Sequence, residues 1–272
     1  MSSKNQTVLI TGASSGIGLE TAKIFSSQGW NVVATMRNPI ISTLVPKFKM
    51  LCLPLDVTRS ETIEPAITAA IEKFGAIDVL INNAGYALIG AFEACTSEEI
   101  ERQFATNVFG LMAVTRAILP HFRGRRQGII VNVASIGGKM TFPLYSPYHA
   151  TKWAVEGFSE SLQYELRQFN IKVKIIEPGP IKTDFYNRSM SVAQKPELTD
   201  YENYVSKVLP QMQQPGVGSP PEVTAKVIYR AATDNSWKLR YPAGGNAGFL
   251  LTLRALLPDA LFHTIIRAGV ER

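Results

Sequence analysis

Thr7-Val8-Leu9-Ile10-Thr11-Gly12-Ala13-Ser14-Ser15-Gly16-Ile17-Gly18 stands near the start of the chain and decides how the rest is read. Residues 7–10 form a short apolar β-rich run, and an amphipathic stretch over 16–28 follows and ends at Gly29. Between strand and helix lies a loop with the spacing G-x-x-x-G-x-G. Glycines there let backbone amides come close to a pyrophosphate at a helix N-terminus, where the helix dipole favours negative charge. A plain strand-to-helix turn is the alternative, and the strand–loop–helix context favours phosphate binding. Gly12, Ser14, Ser15, Gly16, Ile17 and Gly18 are the candidates for that role.

Outward from this unit the pattern repeats. Strands are expected at 31–35, 50–55, 77–81, 128–133 and 171–176, with one more at 237–241. Helices are expected at 60–74, capped by Gly75, from Ser97 as N-cap to near Pro120, and at 146–169. Regular alternation of apolar strands with helices implies a parallel sheet covered on both sides. The expectation is an α/β fold: one doubly wound Rossmann-type domain over residues 1–272, with about seven parallel strands and helices on both faces. Residues 184–221, with Pro196, Pro210, Pro215 and Pro220, form a long excursion of the sort that serves as a substrate lid. Residues 236–272 form a final strand and tail.

Bulk properties set the bounds. The chain has 272 residues, 46% of them hydrophobic and 18% charged, which is ordinary for a globular protein able to bury a core. A net charge of +6 favours anionic ligands but is too diffuse to argue for nucleic acid. Arg123, Arg125 and Arg126 are read as a solvated helix C-terminus, where cations complement the dipole. Two cysteines, Cys52 and Cys95, lack metal-ligand spacing, and a reducing, cytoplasmic setting is expected; no metal site is. No apolar run reaches membrane-spanning length, and 7–10 is too short for a signal peptide.

The end of the second strand chooses between dinucleotides. It reads Ala34-Thr35-Met36-Arg37, with no carboxylate for the adenine ribose hydroxyls. Arg37 can pair with a 2′-phosphate, with Ser14 adding a hydroxyl, so NADP(H) is preferred and NAD(H) remains possible. Asp56, with Val57 beside it, follows the third strand as a candidate for the adenine amino group or as a cap on the next turn. Tyr148 and Lys152 lie one helical turn apart on one face, where an ammonium favours phenolate and tunes the tyrosine as an acid. Ser135 ends the fifth strand, and Asn82-Asn83-Ala84-Gly85 ends the fourth. Both belong to the carboxyl ends of the strands, where parallel α/β sheets bind ligands. Asn107 falls inside a helix, which asparagine mildly disfavours. Taken alone it reads as a tolerated polar residue.

With these residues in order, residues 7 to about 185 resemble the short-chain dehydrogenase/reductase family. The tail from 236 is similar to the branch near the 17β-hydroxysteroid and retinol dehydrogenases and carbonyl reductases. The resemblance implies that Tyr148 is the acid in carbonyl reduction and the base in alcohol oxidation, and that Ser135 polarises the carbonyl oxygen. It implies that Lys152 lowers the tyrosine pKa and holds the nicotinamide ribose, and that Asn107 anchors a water linking Lys152 to solvent. Asn83, Ala84 and Gly85 would line the cofactor, and Pro178, Gly179, Ile181 and Thr183 would hold the carboxamide. Homodimers or homotetramers through helices at 97–119 and 146–169 are also implied.

A substrate pocket is expected between the segment after Ser135, with Met140, Phe142, Leu144 and Tyr145, and the excursion, with Phe185, Tyr186 and Met190. Its apolar, aromatic lining suits a lipophilic ketone or secondary alcohol, unless these residues merely pack the lid. Tyr145 has His149 rather than a lysine four residues on and stands only ten residues after Ser135, so it is set aside as the acid, and His149 is expected on the helix surface. Glu177 is expected to be structural. The apolar run at 249–258 is expected to pack against the core or lid before an interface, and peripheral membrane contact comes last. The expected activity is an NADP(H)-dependent ketoreductase or alcohol dehydrogenase. The alternatives are an NAD-preferring hydroxysteroid- or retinol-type dehydrogenase, and a non-catalytic dinucleotide sensor.

Overall fold

The computed structural model describes residues 5–39, 50–182, 190–212 and 218–270. β1 (Thr7–Thr11) leads into α1 (Gly16–Ser27), then β2 (Asn31–Met36), β3 (Met50–Pro54), α2 (Ser60–Phe74) and β4 (Val79–Asn82). β5 (Ala87–Ile89) precedes α3 (Ser97–Phe104), a π-helical segment (Ala105–Gly110) and α4 (Leu111–Arg125). β6 (Gly128–Val133), α5 (Ser146–Leu166) and β7 (Ile171–Pro178) follow. The chain continues through β8 (Met190–Val192), α6 (Glu202–Met212), α7 (Pro221–Thr233), β9 (Arg240–Ala243), α8 (Ala247–Leu256) and α9 (Asp259–Val270).

Seven strands form one parallel sheet in the order β3-β2-β1-β4-β6-β7-β9. The strand order reverses between β1 and β4, so the crevice for a ligand opens at their carboxyl ends. Alternate residues of β1 explain the two covered faces. Val8 and Ile10 pack with α1, α7 and β9, where Phe25 sits edge-on to Trp30 and Tyr229 with ring centroids 5.0 Å apart in each pair. Leu9 packs on the other face with Ile63 and Ile67 of α2, Val114 and Ile118 of α4 and Leu162 of α5. Burying a side chain of that size contributes about 1.5–3 kcal/mol, which is why the strands tolerate so little polarity. No helix among the described residues is long and apolar enough to cross a membrane.

Several boundaries differ from the sequence expectation, each for a physical reason. Thr96, not Ser97, caps α3: its hydroxyl accepts from Glu99 N at 3.2 Å while the Glu99 carboxylate accepts from Thr96 N at 3.0 Å, a capping box. α4 runs past Pro120 to Arg125 because Phe122 is fully buried against Gly128, where an added Cβ would meet the ring at 2.3 Å. Of the three arginines there, Arg125 pairs with Asp78 at 2.7 Å, and Arg126 donates to the carbonyl of Gln168 at 2.8 Å. All three are exposed at the end of α4, and Arg125 and Arg126 in addition tie that end to the neighbouring connections. The last strand is Arg240–Ala243 rather than 237–241, since Trp237 instead lies under the cations of Arg167 and Lys172, 4.9 and 5.5 Å from its ring centre. The small parallel pair β5–β8, with Ala87 opposite Met190, was not expected. It lays part of the excursion along the chain leaving β4.

Candidate active site

The glycine loop is shaped by close approach. Gly12 and Gly16 take positive φ angles of 66° and 54°. A Cβ on Gly18 would lie 2.3 Å from the Gly12 carbonyl oxygen and 2.5 Å from Asn83 Nδ2, so only glycine lets α1 meet the loop here. Asn83 braces the loop from beneath, donating from Nδ2 to the carbonyls of Thr11 (3.0 Å) and Gly12 (3.1 Å). The Thr11 hydroxyl accepts from the amides of Asn83 and Ala84 at 3.0 and 3.1 Å. The α1 N-terminus has no side-chain cap and no acid in its first turn. The loop thus presents a backbone cradle of the shape and polarity that a pyrophosphate needs, and a dinucleotide fits the residues present.

A cavity of about 1020 Å³ runs from this loop across the carboxyl ends of the strands. Ser14, Arg37, Asp56 and Val57 line one end, with Thr58 beside them. Arg37 follows β2 and is exposed. Asp56 Oδ1 accepts from the amide and hydroxyl of Thr58 at 3.0 and 2.8 Å, so it makes the turn-capping contact and also faces the cavity. Pro178, Gly179 and Ile181 line the wall beyond β7. Gly179 packs so closely on Gly244 and Gly245 that a Cβ would meet their carbonyl oxygens at 2.9 and 2.8 Å. Thr183, Phe185 and Tyr186 lie outside the described residues.

Ser135, Tyr148 and Lys152 line the same cavity. Ser135 Oγ accepts from Gly137 N at 3.0 Å, which leaves its own hydroxyl hydrogen to donate. Lys152 is buried in α5, and its Nζ donates to the Val133 carbonyl at 2.9 Å and sits 5.7 Å from the centre of the Tyr148 ring. Burial brings the Lys152 pKa down to about 8, opposed by the nearby Glu156 carboxylate. A cation beside the phenol at neutral pH is the electrostatic condition for an acidic tyrosine.

Asn107 lies in the π-helical segment, almost wholly buried. Its side chain accepts from Tyr86 N at 3.0 Å and donates to the Tyr86 carbonyl (2.9 Å) and to Thr151 Oγ1 (3.1 Å). It clasps the chain leaving β4 to the helix carrying Tyr148 and Lys152, and π turns of this kind recur at functional sites. A Cβ on Gly85 would already be 3.1 Å from its Oδ1.

Phe142, Tyr145 and Met190 line the other end of the cavity, joined by Tyr86, Leu88, His149 and Leu250. The remaining two substrate candidates lie elsewhere. Met140 is buried with Ile136, Ala247 and Phe262 under the two tail helices. Leu144 is buried with φ 66°, its carbonyl accepting from Gly90 N at 2.8 Å. His149 is not a surface residue. It is 4% exposed, stacks on Tyr145 with centroids 5.6 Å apart, and burial lowers its pKa to about 4, so it is neutral. Nothing in a Tyr-His pair on a helix signals this, because the burying surface comes from the segment after Ser135 folding back. Glu177 faces Arg240 at 3.9 Å inside a buried charged cluster, and burial with the adjacent Glu156 raises its pKa to about 7.

A family model described as short chain dehydrogenase matches residues 6–193. A protein named 3-ketodihydrosphingosine reductase, from Bacteroides thetaiotaomicron, is 44% identical over 206 residues, 75% of this chain and 73% of the relative. A short-chain dehydrogenase from Streptomyces avermitilis superposes with a TM-score of 0.82 at 34% identity, covering 97% of this chain and 96% of that one. Two further solved structures have bound dinucleotides. One is a 3-ketoacyl-(acyl-carrier-protein) reductase from Brucella melitensis with NADH (TM-score 0.71, 26% identity, 88% of this chain and 97% of that one). The other is a serine dehydrogenase with NADP+ (TM-score 0.76, 28% identity, 88% and 94%).

Proposed function

The chain belongs to the short-chain dehydrogenase family, and on that premise we propose that this oxidoreductase interconverts a lipophilic ketone and a secondary alcohol with NADP(H). One observation carries the reading: the Tyr148–Lys152 pair and Ser135 face the cavity that the glycine loop opens into. When bound, the nicotinamide supplies or accepts the hydride. The chain does the rest. Ser135 donates its hydroxyl hydrogen to the carbonyl oxygen, Tyr148 gives that oxygen a proton, and the Lys152 ammonium keeps the phenol acidic. Asn107 holds Tyr86 and Thr151 around them. The glycine loop holds the pyrophosphate, Arg37 the 2′-phosphate, and the stretch from Pro178 the carboxamide.

Phe142, Tyr145, Leu88, Met190 and Leu250 give the substrate end an apolar wall, which favours a lipophilic ketone. The name of the 44%-identical relative, 3-ketodihydrosphingosine reductase, is in keeping with that. Phe109 and Trp153, 61% and 47% exposed on the helical face at 97–166, fit a homo-oligomer that buries them. The test is a panel of steroids, retinoids, aryl ketones, aliphatic keto esters and long-chain ketones, each with NADPH and NADH, followed by loss of nicotinamide absorbance. Turnover of an apolar ketone with NADPH favoured at least tenfold is expected. Preference for NADH removes the Arg37 assignment, and no consumption with any ketone removes the reading.

A further inference from the structure

Behind the Tyr148–Lys152 pair lies a charged cluster that faces away from the cavity. Glu156 is one helical turn beyond Lys152, 2% exposed. Its Oε2 is 3.6 Å from Lys139 Nζ and 3.0 Å from Arg240 Nε, while its Oε1 has no hydrogen-bond partner. Lys139 directly follows the short helical turn Ile136–Gly138 after Ser135, and Arg240 begins β9, opposite Ile175 of β7. Gly138 packs between the two: a Cβ there would lie 2.8 Å from Glu156 Cγ and 2.9 Å from the Lys152 carbonyl oxygen. Burying a carboxylate is costly unless it is paired, and leaving one oxygen unpaired adds to that cost. A methionine or leucine would fill the space without the charge.

We propose that Glu156 is a positioning residue for the carbonyl site: it clamps the Ser135 loop, through Lys139, to the helix of Tyr148 and Lys152 and to Arg240 of β9, with its carboxyl group one helical turn beyond Lys152. The proposal rests on the reading of Ser135, Tyr148 and Lys152 given above. Two independent features support it. The clamp ties the two pieces whose spacing sets the geometry around a carbonyl oxygen, the Ser135 loop and the tyrosine helix, to each other and to β9, and a misplacement of about 1 Å at such a site costs up to about a hundredfold in rate. The Glu156 charge is also the one contribution that opposes desolvation of Lys152. The charged groups around this carboxylate are Lys139 on the loop, Arg240 on β9 and Glu177 on β7, with Lys152 one turn before it on its own helix and Glu160 one turn after it, paired with Arg240.

The experiment compares the wild type with Glu156→Gln, which keeps shape and removes charge, and with Glu160→Gln, which removes the exposed partner of Arg240. The titration of Lys152 is followed in the cofactor-free protein by NMR of lysine labelled at Cε, assigned with Lys152→Met. The kcat–pH profile is then taken with NADPH and the fastest ketone of the panel. In Glu156→Gln, Lys152 is expected to lose its proton at lower pH. The alkaline fall of kcat shifts down with it, and kcat at its optimum drops about tenfold with NADPH affinity held within about twofold. Glu160→Gln should move neither. An unmoved Lys152 titration, or an unchanged kcat, in Glu156→Gln overturns the proposal. If Glu156→Gln does not fold, Lys139→Met, which cuts the loop tie at a partly exposed residue, is expected to lower kcat about fivefold at unchanged NADPH affinity; equal kcat overturns the clamp. Should the wild type reduce no ketone, the functional reading fails by itself, and the NMR titration still decides the Glu156–Lys152 coupling.

Discussion

At the glycine loop the cleft is made of backbone, whereas at Ser135, Tyr148 and Lys152 it is made of buried side chains. The first end depends on atoms that are missing: Gly12 and Gly18 leave room that a methyl group would fill at under 3 Å from main-chain atoms. Its ligand-facing groups are amides, which do not titrate near neutrality. The second end depends on charges held in a poorly solvated place, with Lys152 in the cavity wall lowered to about 8 and Glu177 in the cluster behind it raised to about 7. One end therefore breaks by steric intrusion at any pH. The other breaks by changes of charge within a unit or two of neutrality.

Substitutions at each end should separate these modes. The largest effect is expected from Tyr148→Phe, with kcat down about 10³-fold and NADPH affinity within about twofold of wild type by fluorescence titration. Loss of NADPH binding in that variant would show that the two ends are not separable. Gly18→Ala should do the converse. Its Cβ, 2.3 Å from the Gly12 carbonyl, forces the loop open, and NADPH binding is expected to weaken about a hundredfold, equally at pH 6 and pH 9. A strong pH dependence of that loss would contradict a backbone-only site.

Arg37→Asp probes the rim of the first end and should weaken NADPH about tenfold while leaving NADH unchanged or improved. Equal NADPH efficiency would remove the phosphate assignment. The smallest effect concerns stability. The folded pKa of Glu177 is raised above the ordinary carboxylate value, so its protonated form is the one that folding favours. The stability this contributes is complete below the ordinary carboxylate range and is lost as pH rises through about 7. Glu177→Gln, neutral at every pH, should therefore gain on the wild type as pH rises. A Tm advantage of roughly 2–4 °C is expected at pH 8.5 and little at pH 5, by calorimetry. An advantage that shrinks with pH would reverse the sign assigned to this carboxyl.

The same division separates what the residues disclose from what they conceal. β1, the glycine loop and α1 are legible because each is a local pattern: an apolar run, three glycines, and a buried face at Gly18, Thr21, Ala22 and Phe25. The Tyr148–Lys152 spacing is local too, and the fold keeps the pair together, with Lys152 Nζ 5.7 Å from the Tyr148 ring centre. Groups acting through distant partners are not local. Glu156 meets Arg240, 84 positions away, and no helical periodicity announces that pairing. β5 and β8 are three residues each and pair across the chain, too short for a period-two pattern to stand out. The surroundings of His149 and Met140 are not local either, because the fold-back after Ser135 and the tail helices decide what covers them.

The wide turn at Ala105–Gly110 has a consequence for chain length. A π turn holds one residue more than the α-helical path needs, so α3 and α4 are out of phase by about 100° relative to an uninterrupted helix. Removing a single residue there would give a smoother rod, with the wide turn returned to the common i→i−4 ladder. It would also swing the Asn107 carboxamide away from Tyr86 and Thr151. This is one place in the molecule where a shortened chain would gain helical regularity and lose the clasp between β4 and the tyrosine helix.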